Sequence, residues 1–400
     1  MQNSTWKPDP WTLLLWGGLV AAGLMALYSI TRGPAVEYLS GSVRDDFSRQ
    51  FLWIGVSVVS VGIILLLPVR FLRYAAYPAY ATTLVLLALS LMVGVEVHGT
   101  RAWFALGPLR LQVSELAKVG TVLAVAQLLS KRHTRTGQDL SFALEAAALI
   151  VAPAGLVILQ NDLGTALVFF GLVPIMLFWS GLSLTVILLM VSPAIAGYLA
   201  LLSIRAALVF AVLFTGGVTA AVALVLNKIL QPYQVERLLS FTNPGAEQFR
   251  QGVGFHLVQS KAALQSGGLW GTGFMQGPQT QGAYVPEQTT DFIFSVIAEE
   301  FGLVGSLVVL GLLAALLLRL IKLGAEVKHP FGSIVAAGAV GVYLIHITIN
   351  IGMVTGMLPV IGLPLPFLSY GGSAMLANTA LLAIVLNTHM RREDLSIYGY

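Results

Sequence analysis

Residues 251–305 read QGVGFHLVQSKAALQSGGLWGTGFMQGPQTQGAYVPEQTTDFIFSVIAEEFGLVG. The first part is rich in Gly, Gln and Ser and too polar to cross a bilayer. It ends at Thr289-Thr290-Asp291, where an apolar run begins at Phe292 and carries two adjacent carboxylates, Glu299 and Glu300. A polar loop feeding a membrane helix that holds acids implies a helical membrane protein with a site at the loop.

Composition agrees. Of 400 residues, 57% are hydrophobic and 10% charged, against roughly 25% charged in soluble domains. Several apolar runs reach the ~20 residues that cross a hydrocarbon core, so the fold class expected is all-α, a polytopic membrane protein forming a single domain over residues 1–400. The start, MQNSTWKPDP, lacks a basic region followed by a short apolar stretch and cleavage site, so the first apolar run reads as a retained span. With no cysteine, disulfides and thiolate metal sites are excluded. A net charge of +4 is small for this length. Basic residues here mark the cytoplasmic side and do not argue for nucleic acid.

The spans expected are Trp11–Ile30, Phe51–Val69 (stopped by Arg70 and Arg73), Ala75–Val95, Leu116–Leu129, Phe142–Leu159 and Thr165–Ser180, then Phe292–Leu320, Ile334–Met357 and Ser373–Asn387. The segment 98–115 is too polar to span and suits an interface. Residues 182–226 contain two apolar runs, read as one net crossing with the other run re-entrant or interfacial. The run 359–372 carries three prolines, and such backbone at membrane depth survives only inside protein or beside a wet cavity. Alternating spans put Arg70/Arg73, Lys131–Arg135, Arg319/Lys322/Lys328 and Arg391/Arg392 on one side, the cytoplasm, with both termini. The large loop at 228–291 and the turn at 160–164 are then extracellular.

Among polar residues, Asp291 fits either a helix cap or a carboxylate presented at a cavity mouth. Positions 291, 295 and 299 would share one helix face, with Glu299 roughly 12 Å below Asp291. Ionisable groups at that depth are functional or paired, and Lys118 is a candidate partner for Glu299. Glu115 and Lys118, one turn apart, fit a local ion pair or a ligand site equally. Arg101 suits an anionic headgroup or plain solvation, and Asp162 suits a turn. The six histidines have no metal-ligand spacing.

Six segments then carry a resemblance: HGTRAWFALGPLRLQVSELAK, QNDLGTA, YQVERLLSFTNPG, GFHLVQSKAALQSGGLWGTG, VPEQTTDFIFSVIAEEFGLVG and NIGMVTGMLPVIGLPLPFLSYGGS. In order and spacing they resemble the SEDS family of bacterial shape, elongation, division and sporulation proteins, and the elongation branch more than the division branch. Val113 and Asn161 stand where that family usually has proline, and Thr289 where it commonly has histidine. The resemblance implies about ten transmembrane helices. It also implies a peptidoglycan glycosyltransferase that polymerises lipid II at the outer face of the cytoplasmic membrane, beside a class B penicillin-binding protein. It assigns the essential carboxylate to Asp291, read here as the catalytic base, and a functionally important lysine to Lys118; Arg101, Glu115, Asp162, Glu287, Glu299, Glu300 and Ser369 join Lys118 as substrate-binding candidates. No cofactor is required, although a divalent cation (Mg or Mn) could assist the diphosphate. The alternatives are a lipid II flippase and a non-catalytic scaffold for the penicillin-binding protein.

Overall fold

In lipid, backbone groups can be satisfied only within a helix or a closed barrel, and the apolar runs resolve accordingly into helices. The structure, a computed structural model, describes residues 7–97, 99–106, 109–132, 140–182 and 253–397. The long helices are α1 (Pro10–Arg32), α2 (Asp46–Leu66), α3 (Val69–Val93), α4 (Val113–Arg132), α5 (Leu140–Leu159), α6 (Leu163–Trp179), α7 (Val253–Gly267), α8 (Ile293–Glu326), α9 (Pro330–Thr355) and α10 (Gly372–Met390). Eight of these are long and apolar enough to cross a membrane, and α6 is a shorter apolar helix of 17 residues. The crossing expected for 182–226 and the loop residues before Val253 lie outside the described residues.

Three helices form the centre. The spanning windows of α4 and α10 are 78% buried and that of α9 is 67%, against 17–39% for the other spans. Since lipid tails are as apolar as Leu, packing and not water exclusion must hold these helices together. Close approach follows from small residues: a Cβ at Gly338 of α9 would lie 2.5 Å from the Val122 side chain of α4. Around this centre α2 packs on α10, α3 on α4, and α1 and α7 on α8.

The bundle has two distinct ends. At the basic end, Asp9 caps α1 through Thr12 N (2.8 Å) and pairs with Arg319 of α8. Glu326 meets His389 at 2.8 Å, and Lys131 lies 5.2 Å from the ring centre of Tyr77. The opposite, loop end holds the turn between α5 and α6, helix α7, residues 268–292 and the proline-rich strap 356–371.

Two expectations change. The second and third spans part at Leu67–Pro68, where the ring of Pro68 denies a helical donor, so Arg70 and Arg73 lie within α3 and stop nothing. The segment read as a polar interface falls in a three-stranded antiparallel sheet, β1 (Val95–Val97), β2 (Thr100–Leu106) and β3 (Leu109–Gln112), the one sheet among the described residues. Aromatic and apolar residues alternate poorly with a helix period here, and the register Trp103↔Gln112 and Phe104↔Leu111 pairs them across strands. The sheet is tied to its neighbours by Gln112 N to Ser373 Oγ (2.8 Å) and Arg101 N to Gln160 O (3.3 Å).

Candidate functional site

Helix α8 is two helices end to end. Gly302 has φ 66° and ψ −162°, which interrupts the hydrogen-bond ladder. The break opens the carbonyls of Glu299 and Glu300 and the N–H groups of Leu303 and Val304. All four find partners in one turn of the loop. Thr272 N and Gly273 N donate to Glu299 O and Glu300 O (2.9 and 3.1 Å), while Leu303 N and Val304 N donate to Gly268 O and Leu269 O (2.9 and 3.2 Å). The turn must lie flat on the helix, since a Cβ at Gly271 (φ 85°) would fall 2.1 Å from Glu300 O. Above the break, residues Ile293–Glu300 are wholly buried in protein; below it, α8 has apolar residues facing outward.

This places both glutamates in the scaffold. Glu299, 0% exposed, accepts from Gln279 N (2.8 Å), Thr280 N (2.8 Å), Thr280 Oγ1 (2.6 Å) and Ser266 Oγ (2.8 Å). Glu300 accepts from Ser29 Oγ and from Gln281 Nε2 (3.1 Å). With four donors Glu299 anchors the loop and has little capacity left for a ligand, while Glu300 ties α1 and the loop to α8 through its Oε1. The expected pairing of Glu299 with Lys118 does not occur. Nor does a continuous stripe from Asp291, because α8 starts at Ile293 with Phe292 as its N-cap and no side-chain cap bond. Asp291 therefore stands one residue before the N-cap position. Ser295, the middle of that stripe, is bonded to Ser260 Oγ at 2.8 Å.

Lys118 pairs instead within its own helix. Its Nζ lies 2.8 Å from Glu115 Oε2 and 2.8 Å from His346 Nε2 of α9, and all three side chains are buried. His346 Nδ1 is 3.0 Å from Pro364 O. A carbonyl only accepts, so Nδ1 carries the hydrogen and Nε2 accepts from the lysine ammonium. One turn further along α9, Asn350 Nδ2 donates to Leu363 O (2.7 Å) and Asp291 O (2.8 Å). The proline-rich strap thus lies inside protein, its open carbonyls taken by α9, as the sequence required.

The strap in turn fixes the residues before α8. Tyr370 N donates to Thr289 O (2.8 Å), Ser369 Oγ to Thr290 O, and Asn350 to Asp291 O. Three successive peptide oxygens are held, while the side chain of Asp291 is half-buried and its neighbour Glu287 is exposed. Thr289 Oγ1 adds a bond to Asp46 Oδ2 (3.0 Å), and Glu287 bonds Thr290 Oγ1 (3.1 Å). Ser369 Oγ also accepts from Leu365 N (2.8 Å), so its one hydrogen and one of its two lone pairs are used in positioning.

Arg101 and Asp162 sit on the sheet side of the loop end. Arg101, half-exposed, pairs across the strand with Glu96 (3.4 Å). With Gln160, Asn161, Leu91, Leu159 and Gly99 these two line an open cavity of about 280 Å³. Asp162 caps α6 through Thr165 N (2.9 Å) and accepts from Gln112 Nε2 (3.1 Å), which joins that helix to β3. Burial pushes its carboxyl up, Glu115 adds to this, and the Thr165 bonds and Lys118 oppose it. Among the described residues no group of three or more His, Asp or Glu could hold a metal ion.

His346, Asn350 and Asp46 did not emerge from sequence reasoning. A signal existed for the first two: polar residues at i and i+4 inside an apolar span share one helix face.

Residues 10–394 match the family model of the cell cycle proteins FtsW, RodA and SpoVE. The peptidoglycan glycosyltransferase MrdB of Escherichia coli (strain K12) is 33% identical over 347 residues, 85% of this chain and 86% of that protein. A chain solved in work on the structural coordination of polymerization and crosslinking by a peptidoglycan synthase complex superposes with a TM-score of 0.75 at 31% identity, covering 96% of this chain and 98% of that one. The crystal structure of Thermus thermophilus rod shape determining protein RodA gives a TM-score of 0.66 at 30% identity, covering 96% and 97%.

Proposed function

This chain belongs to the FtsW/RodA/SpoVE family, and from that premise we propose how its loop end works. The protein is a RodA-like, multi-pass membrane peptidoglycan glycosyltransferase. Its substrate in our reading is lipid II. The basic end faces the cytoplasm with both termini, by the excess of Lys and Arg there, and the loop end faces outward. Glycan strands are then built at the outer leaflet, during cell elongation.

The observation that carries this reading is the turn 289–291, where three bonded peptide oxygens hold a half-buried carboxylate at the head of the buried half-helix 293–300. Joining a β-1,4 link from an α-linked sugar diphospholipid inverts the anomeric carbon. The attacking 4-hydroxyl loses its proton to a base as the new C–O bond forms, and the bond to the diphosphate breaks with its electron pair. Asp291 is that base. Arg101, exposed at the rim, contacts the leaving diphosphate, and Glu287 lies on the same turn as the base. A divalent cation in this scheme travels on the diphosphate. Lys118, 1% exposed and enclosed by Glu115 and His346, positions the strap and does not meet the substrate. A class B penicillin-binding protein cross-links the product.

The test is polymerisation of fluorescent lipid II by purified protein in detergent, alone and with the penicillin-binding protein. Detergent leaves no leaflets between which a flippase could act, so polymer there reports chemistry. Asp291→Ala should fall at least ~100-fold, the lower range for removing a general base, with an unchanged melting profile. Near-wild-type polymer from that variant would overturn the assignment.

A further inference from the structure

One exposed apolar feature lies outside this machinery. Leu269 and Trp270, 62% and 80% exposed, form the tip of the turn that bridges the break in α8. Directly beneath them the outward face of α8 continues with Leu303, Val304, Leu307 and Val308, exposed at 49%, 44%, 56% and 58%. These four belong to a helix long and apolar enough to cross a membrane, with only 28% of its spanning window buried in protein. The tip is joined to the top of that span by backbone bonds at Leu303 N and Val304 N, so the two surfaces are continuous. The sequence of the tip, SGGLWGTG, brings no charge to it. A Trp at the upper edge of a lipid-facing surface has the chemistry of a membrane interface, an apolar ring with one N–H for the wet side.

We infer that the Leu269–Trp270 turn inserts into the outer leaflet as an interfacial anchor. The turn also satisfies all four peptide groups opened at Gly302, so its depth sets the height of the half-helix 293–301 and of Asp291 above the lipid. This second clause rests on the proposed function; the anchoring itself does not.

The absence of cysteine makes Leu269→Cys a unique labelling site. A nitroxide there, in phosphatidylcholine/phosphatidylglycerol vesicles, should collide more with oxygen and less with a water-soluble nickel chelate than one at Glu37→Cys, an exposed control at the same end. Tryptophan emission lost in Trp270→Phe should be the part quenched by lipids brominated near the headgroup. A label at 269 as open to nickel as the control, or shielded only when the penicillin-binding protein is added, overturns the anchor in favour of water or a protein partner. For the height clause, Trp270→Ser should lower polymerisation several-fold in vesicles while leaving it unchanged in detergent. Equal rates in both media would overturn that clause, whatever the labelling shows.

Discussion

Both ends of the bundle use side chains to satisfy backbone that no helix can serve, with opposite results. At the basic end, Asn387 Nδ2 donates to Ile64 O (2.7 Å) and Leu67 O (2.9 Å), and Arg391 Nη2 to Leu65 O (3.1 Å). Those carbonyls lie at the C-terminal end of α2 and its cap residue Leu67, where the helix leaves its last oxygens unserved, and once they are bonded the helix ends cleanly. At the loop end Asn350 makes the same kind of bonds to Leu363 O and Asp291 O. There the bonded oxygens belong to irregular chain, and the result is a carboxylate held partly open. The same residue type closes a helix at one end and aims a functional group at the other.

Breaking the buried ion pair should have the largest effect. Lys118→Met leaves Glu115 charged and unpaired inside the bundle, expected to cost about 3–5 kcal/mol of stability, read as a large drop in melting temperature in detergent. Adding Glu115→Met should restore much of the stability without restoring the rate, because His346 then loses its donor. Next comes the asparagine comparison itself. Asn350→Ala frees the peptide oxygen of Asp291, and displacing a reacting group by about 1 Å costs on the order of 100-fold in rate, measured as initial polymerisation. Asn387→Ala removes a similar set of bonds and should destabilise by about 1–3 kcal/mol, yet leave the rate per folded molecule within roughly twofold. Equal rate losses in the two variants would mean that the ends do not differ in purpose.

The smallest effect concerns pH at the basic end. His329 caps α9, its Nδ1 accepting from Phe331 N at 3.1 Å. Burial, aided by the Arg73 charge, lowers its pKa to about 4. The folded state therefore favours the neutral ring. That contribution is complete above pH 6.5, the value of an unfolded histidine, and is lost as pH falls toward about 4. Melting followed from pH 7 to pH 5 should show a loss of about 1 kcal/mol, a figure reduced for partial solvent screening. His329→Asn, which keeps a cap, should flatten that slope.

Most spans among the described residues and the two ends of the bundle were legible in the sequence, because apolar length and basic clusters act through local composition. What composition does not encode is which polar groups meet. Glu299 and Lys118 are each a buried charge, and sequence distance gave no reason to prefer Thr280 and His346 as their partners. The sheet at 95–112 was missed as a β element because its strands are three to seven residues long, too short for a clear period. The break at Gly302 was hidden by an unbroken apolar run on either side, and only the backbone angle reveals it.

The bonds that Asn350 and the strap make to 289–291 end on peptide oxygens and are indifferent to what those residues carry, whereas the buried Thr289 adds a side-chain bond to Asp46 (3.0 Å). A library at 290 should tolerate wide chemical exchange so long as the strap keeps its donors, while one at 289 should favour residues that still fit the buried position and donate to Asp46. Intolerance should concentrate instead at Asn350, Ser369 and Asp291, three letters far apart in the text of the protein that act as one fixture.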